Sequence, residues 1–389
     1  MDLFNYIKRV FRDAKSRLQE NSYESLLSLV NFVPSVAGFS IRGNTIFVPF
    51  WILHLSLLFY IYGVGCAVYQ IKYAEDARDF IKSFVNVSLL VLIANNSHWF
   101  LQKRSLLKTA LKEISESDVM ATANESFRQK HERSVQKIKR ILFIFYGFNL
   151  LNATFVYLPH RADVLNSYSM TPCFGMEPLT SSPNREICMT LLCIQEITIM
   201  VVVLNYQALL LLLIAYTALM YTLLADEIMT LNNFDRETYY NNPTVKLILP
   251  DLVKRHAILL SIIDKLKALY SGSIGVNFGS NAVCISLFFY LPLQEWLQFM
   301  PVLVYCFLVF FLYCFLCQRL TNAAELFEMS VYACGWENFE LKEKKAIYFM
   351  LRQAQKPVEI LAADIIPVNI STFATTLQAM FKFVTVVKV

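Results

Sequence analysis

Long runs of apolar residues constrain the fold of this chain more than any other feature of its sequence. Residues 46–69 contain no Asp, Glu, Lys or Arg, and residues 187–224 contain neither Gly nor Pro and one charged residue, Glu196. About 20 apolar residues in a helix cross the ~30 Å hydrocarbon core of a bilayer. The mean hydropathy of +0.45 and the 17% share of charged residues also lie outside the range of soluble domains. The sequence therefore predicts an all-α integral membrane protein.

Seven transmembrane helices are predicted. The first six and their loops occupy residues 46–316, with spans at about 46–69, 80–101, 141–158, 187–224, 271–291 and 299–316, and the seventh occupies residues 358–389 with an interruption at Pro367. Residues 1–45 precede the first span, and residues 317–357 form a charged helical segment before the last. Asn86, Asn95 and Asn96 make the second span too polar to face lipid, so it must pack inside a bundle or line a cavity.

The distribution of basic residues predicts the orientation. The N-terminal segment and the second, fourth and sixth linkers carry 28 of the 35 Lys and Arg residues, and the opposite side carries the other seven. The positive-inside rule then places the N-terminus in the cytoplasm and the C-terminus, after seven crossings, outside. Residues 317–357 become a cytoplasmic anchor segment. A G-protein-coupled receptor has the reverse orientation, and a transporter would show repeated halves or broken midplane helices, of which only Pro367 is a hint.

The sequence contains no pattern typical of an enzyme. It has no Gly-rich phosphate loop, no nucleophile elbow and no HExxH motif, and its nine cysteines form no Cys/His cluster at ligand spacing. We therefore predict no catalytic site, no metal site and no cofactor. Cys173 and Cys188 share the one long outer loop, where oxidising conditions permit a disulfide, although their spacing alone does not establish one.

The last quarter of the chain contains a set of short motifs in a fixed order. They are Tyr332-Ala-Cys-Gly-Trp336, Gln355-Lys356-Pro357, Pro367 and Ser371-Thr372-Phe373. This order resembles the C-terminal signature of insect odorant receptors, which are odorant-gated cation channel subunits with seven transmembrane helices. A gustatory receptor, the nearest alternative, would carry Thr-Tyr and then Gln-Phe, where this chain has Thr372-Phe373 and then Gln378-Ala379.

The resemblance implies a heterotetramer with the odorant receptor co-receptor in the plasma membrane of olfactory neuron dendrites, a small volatile ligand, and no nucleic-acid partner. It implies a ligand-tuning subunit, because the linker at 225–270 lacks the long insertion of the co-receptor type. The last helix of each subunit would line a non-selective cation pore. Four residues near its end are the predicted pore and gate positions: Lys382, Thr385, Val386 and Val389.

By the same resemblance, the odorant pocket lies in the outer halves of spans two, three, four and six. Helical faces there predict an apolar lining of Phe80, Phe84, Val87, Ser88, Phe148, Asn152, Phe155, Cys193, Ile197, Met200, Val302, Tyr305 and Val309. We expect Glu196 to reach the outer interface or bond to a neighbouring helix, with a ligand or ion contact as the alternative. His54 in the first span is expected to be a packing residue.

Overall fold

The structure is a computed structural model that describes residues 12, 16–43, 46–123, 125–159, 170–233 and 243–387. Nearly all of the described chain is helical. Its helices are α1 (Tyr23–Val36), α2 (Val48–Leu58), α3 (Gly65–Lys72), α4 (Ala77–Gln102), α5 (Arg104–Thr122), α6 (Glu125–Leu151), α7 (Asn184–Met229), α8 (Pro243–Phe288), α9 (Leu293–Tyr332), α10 (Leu341–Ala354) and α11 (Ile370–Val387). Short π-helical turns at Phe59–Val64 and Asn152–Tyr157 join α2 to α3 and extend α6, and 3₁₀ turns follow α7 and α9 at Thr230–Asn233 and Trp336–Asn338.

Helix α7 is the central helix of the fold. It packs against α1, α2, α4, α5, α6, α8 and α9, and every residue from Val202 to Ile214 is buried. A helix that is apolar on all its faces is stable only when neighbours cover all of them. This explains why the long apolar fourth span is the one that the other helices surround.

Three helical stretches of the described residues are long and apolar enough to cross a membrane by those criteria alone: Val48–Lys72, Asn184–Asn232 and Met300–Asn338. They coincide with the predicted first, fourth and sixth spans. The predicted second, third and fifth spans correspond to α4, to the end of α6 with its π turn, and to the end of α8. Helices α6, α7, α8 and α9 each extend beyond the predicted spans into the adjoining linkers.

The seventh predicted helix begins later than expected. Instead of a helix from residue 358, Leu361–Ala362 and Ile366–Pro367 form a short antiparallel hairpin, and α11 begins at Ile370. Ala363 and Asp364 in its turn both have positive φ angles, 52° and 58°, which no right-handed helix contains. Asn369 then caps α11, because its Oδ1 accepts a hydrogen bond from the Thr372 backbone N–H at 2.8 Å.

Two motifs from the last quarter have structural roles. Gly335 ends α9 in a left-handed turn with φ of 77°, and an added Cβ there would lie only 3.0 Å from Asn232 Oδ1. The turn lets Trp336 Nε1 donate to the Tyr332 carbonyl at 3.1 Å. Phe373 packs its ring against those of Phe310 and Phe311 in α9. These residues position α10 and α11 against α9.

Candidate ligand site

A small apolar cavity, the inner cavity, lies between α4, the π turn after α6, α7 and α9. Its volume is about 80 Å³, and Tyr62 from the first π turn closes one side. Its other lining residues are Leu89, Leu92, Ile93, Asn149, Asn152, Ala153, Glu196, Ile199, Met200, Val203, Leu204, Pro301, Val302 and Tyr305. A concave apolar lining with a few polar groups is typical of sites for small organic molecules.

Two amide side chains of the inner cavity are held by hydrogen bonds, one within α6 and one to α9. Asn149 Nδ2 donates to the Phe145 carbonyl at 2.8 Å, and Asn152 Nδ2 donates to the Pro301 carbonyl at 3.3 Å. Glu196 is buried at 5% exposure, so it does not reach an interface as one expectation had it. Its carboxyl group contributes to the polar part of the cavity wall.

The structure divides the thirteen predicted pocket residues into several groups. Asn152, Met200, Val302 and Tyr305 line the inner cavity. Phe80, Phe84, Phe148, Phe155 and Ile197 are exposed on the outside of the chain, and Val309 is buried in the main core away from the cavity. Val87, Ser88 and Cys193 are buried or half-buried without lining it, and the Ser88 hydroxyl donates to the Phe84 carbonyl at 3.0 Å.

A chain of polar contacts runs from the inner cavity across the bundle. Gln207 Nε2 donates to the Tyr305 hydroxyl at 3.4 Å, and the Tyr313 hydroxyl donates to Gln207 Oε1. Asn277 Nδ2 reaches the same Tyr313 oxygen at 3.3 Å, and Asn95 Nδ2 donates to Asn277 Oδ1 at 2.9 Å. Asn95 of the second span therefore packs inside the bundle, where these partners reduce the cost of burying it.

His54 is a packing residue, as expected. It is completely buried, with Nδ1 3.0 Å from Thr198 Oγ1 and Nε2 3.0 Å from Ser97 Oγ. The imidazole thus joins the first span to the second and the fourth by two hydrogen bonds.

The cysteines fall into two groups. Cys173 and Cys188 form a disulfide with 5.7 Å between their Cα atoms, which ties the outer loop to the start of α7. The other seven form no disulfide. Cys314 and Cys317 have the Cys-x-x-Cys spacing, but they are buried thiols in α9. No group of three or more metal-ligating side chains converges among the residues that the structure describes.

The predicted pore residues lie at the end of α11. Lys382 and Thr385 are exposed, and the Thr385 hydroxyl donates to the Lys382 carbonyl at 2.8 Å. Val389 and the side chain of Val386 lie outside the described part of the chain.

Comparison with known proteins first identifies a family. The family model described as "7tm Odorant receptor" matches residues 78–381. Among individual proteins of Drosophila melanogaster, Odorant receptor 22b is 23% identical over 145 residues and Odorant receptor 42a is 25% identical over 144 residues. The first match covers 36% of each chain and the second 35%, so this chain spans about a third of the length of the relatives that it matches.

Solved structures show the same fold. The insect olfactory receptor OR5 from Machilis hrabei has a TM-score of 0.69 at 17% identity, over 85% of this chain and 87% of that one. The complex of OR5 with eugenol has a TM-score of 0.72 at 15% identity, over 92% of this chain and 96% of that one. The fold is the seven-transmembrane-helix fold of that receptor, as the sequence predicted.

Proposed function

Because this chain belongs to the odorant receptor family of seven-transmembrane proteins, we propose that it binds small volatile odorants in the inner cavity and opens a cation channel in response. The channel is a heterotetramer with the odorant receptor co-receptor. The channel lies in the plasma membrane of olfactory neuron dendrites, and the N-terminus of this chain is in the cytoplasm. Family membership also agrees with the expectation of a receptor rather than an enzyme.

The inner cavity is the observation that carries this proposal. It is lined by residues from five predicted spans, and its wall combines Ile, Leu, Val and Met side chains with the hydroxyl of Tyr305 and the amide of Asn152. Apolar contacts there would select a ligand by shape, at about 0.8 kcal/mol for each buried methylene group. The polar groups would select among ligands that carry an oxygen.

An exposed apolar surface, the anchor patch, supports assembly with other subunits. It consists of Met329 and Tyr332 at the end of α9 and Leu341, Tyr348 and Phe349 on α10, each more than 60% exposed. These residues lie in the predicted cytoplasmic segment, where lipid would not cover them. A cluster of large apolar side chains that faces water marks a protein interface.

The last helix is suited to a pore between subunits. Phe381, Lys382, Phe383 and Thr385 near its end are all exposed in the single chain. Partner subunits and a central channel would surround these faces, and a constriction of apolar side chains there would close the pore by excluding water. Odorant binding would open it through a higher affinity for the open state.

Ligand binding can be tested without a current. The full chain, purified in detergent, is heated with each of a panel of volatile alcohols, esters and phenols, with eugenol among them. A ligand that binds the folded state raises the midpoint of thermal unfolding. We expect such compounds to stabilise the native chain and to lose that effect when Val302→Phe fills the inner cavity. Equal stabilisation of both chains would place binding elsewhere. Stabilisation only by non-volatile tastants, tested as a second panel, would favour the alternative of a gustatory-type receptor.

A further inference from the structure

A second concave surface, the outer groove, lies on the other side of the helices that enclose the inner cavity. It has a volume of about 510 Å³ and is formed by α1, by α6 with the π turn that follows it, and by α7. Phe32 of α1 contributes to one end of the groove, and Gly147 leaves an open space in its α6 wall. The groove and the inner cavity adjoin each other, because they share lining residues.

The outer groove opens toward the space that lipid occupies. Its rim residues Phe143, Leu150 and Ile197 belong to the predicted third and fourth spans, and their side chains are about half or more exposed. Large apolar side chains in such positions face hydrocarbon in a bilayer. A molecule dissolved in the hydrocarbon can therefore reach the groove without passing through water.

Only one layer of side chains separates the groove from the inner cavity. Ala153, Glu196, Met200 and Leu204 line both. Met200 is half-buried, and its unbranched side chain has three rotatable bonds that let it change shape easily. Ala153 is small and belongs to the π turn, where the regular helical hydrogen bonding is interrupted. This wall can open by side-chain rotation, without separation of α6 from α7.

We propose that the outer groove is a lateral entrance through which small apolar ligands pass from the bilayer into the inner cavity, with Met200 as the moving side chain. This inference rests on the proposed function of the inner cavity. The bilayer concentrates an apolar molecule about fourfold for each added CH₂ group, which follows from the transfer free energy of that group. The ligand concentration is therefore higher at an entrance that opens to the bilayer than at one that opens to water.

Gly147→Phe is the variant that tests the entrance. Gly147 lines the groove but not the inner cavity, and a Cβ added there meets no atom within 4 Å, so a phenyl ring has room to fill the groove. Gly147→Ala is the matched control, because it also replaces the glycine and leaves the groove open. Ile144→Phe is a second control on the same helix, at a side chain that is 64% exposed and does not line the groove.

The route can be followed by photolabelling the full chain in lipid vesicles. The probe is a six-carbon alcohol that carries a diazirine, illuminated at increasing times after mixing, and the labelled residues are located by mass spectrometry. We expect Gly147→Phe to slow labelling of Val302 and Tyr305 at least fivefold and to leave its final extent unchanged. Both controls should label at the native rate.

Other results would overturn the proposal. An unchanged rate in Gly147→Phe means that the ligand enters elsewhere. A lower final extent at an unchanged rate means that the groove is a resting site for the alcohol or for a lipid chain, and not a passage. If the native chain shows no label at Val302 or Tyr305 at any time, the proposed function of the cavity fails as well. If these residues are labelled rapidly in every variant, the groove is not the entrance, but the proposed function of the cavity still stands.

Discussion

Ser271 and Asp364 join the fifth predicted span to the hairpin that precedes the last helix. The Ser271 hydroxyl donates to the Asp364 carboxylate and accepts a hydrogen bond from the Asp364 backbone N–H at 2.8 Å. The Ala363 N–H also donates to the Ser271 carbonyl at 2.9 Å. One serine thus holds the turn whose position determines where α11 begins.

Replacing this serine should loosen the hairpin. Ser271→Ala removes two hydrogen bonds to Asp364, which is exposed and can bind water in their place, so the expected cost is that of a typical hydrogen bond, about 0.5–1.5 kcal/mol. We expect a lower midpoint of thermal unfolding for the purified chain. Ser286→Ala is the control, because the Ser286 hydroxyl donates only within its own helix, to Ala282. Equal midpoints for the two variants would show that the Ser271 contacts contribute nothing.

Gly275 provides a steric test of the same contact. A Cβ on Gly275 would lie 2.7 Å from the Ala363 nitrogen and 2.8 Å from its Cβ, so Gly275→Ala must push the hairpin away from α8. Overpacking of this kind costs typically 1–3 kcal/mol, and we expect less folded protein at the cell surface. Gly279→Ala, one turn further along, meets no atom within 4 Å and should be neutral or slightly stabilising, because alanine favours helix. A surface level for Gly275→Ala equal to that of Gly279→Ala would contradict this packing.

The helices were predictable from the sequence, whereas the hairpin was not. Spans of about 20 apolar residues are determined by the thickness of the bilayer. The hairpin depends on Ala363 and Asp364, two residues with positive φ, and on contacts with Gly275 and with Ser271, which is 93 positions from Asp364. No local pattern in the sequence predicts those contacts. Pro367 was the one signal in the sequence. It indicated that the seventh helix is interrupted, but not that a hairpin interrupts it.

The pocket residues were only partly predictable because apolar faces look alike whether they meet lipid or a cavity. Of the three residues predicted in the third span, Asn152 lines the cavity, whereas Phe148 and Phe155 do not; Asn149 and Ala153 line it instead. An error of one residue turns a helical face by about 100°. The buried amide of Asn149 was the available signal, because a polar side chain in a span rarely faces lipid.

One variant of a cavity-lining residue and one of an outward-facing residue test which predicted pocket residues contact the ligand. Val302→Phe fills the inner cavity and should raise the half-maximal concentration of an activating odorant at least tenfold, since a ligand then loses both volume and contacts. Phe155→Leu changes a predicted pocket residue that is 71% exposed, so the dose–response curve should remain unchanged. A large shift for Phe155→Leu with none for Val302→Phe would show that the ligand binds on the outer face of the third span.

His256 predicts a pH dependence of stability. It lies in α8 before the predicted fifth span, 4.6 Å from the Phe327 ring, and burial lowers its pKa to about 4. An unfolded histidine has a pKa of about 6.5, so the unfolded chain binds more protons between these values. The free energy of unfolding should therefore fall as pH decreases from 6.5 toward 4, by at most about 1.4 kcal/mol per pH unit, and show no contribution from this group above 6.5.

Denaturant unfolding at pH 7.5 and 5.5 checks this dependence. His256→Phe should reduce the difference in stability between the two pH values, because the titrating group is gone. His98→Gln changes an exposed histidine and should retain the native difference. If His256→Phe leaves the difference unchanged, the pH dependence originates at other groups.

Whole-cell current tests the central claim most directly. Cells that express this chain with the odorant receptor co-receptor, or alone, are exposed to the volatile panel under G-protein blockade. We predict cation currents within milliseconds of exposure that require the co-receptor and persist under the blockade. Slow currents from this chain alone that the blockade abolishes would contradict the account of an odorant-gated channel subunit.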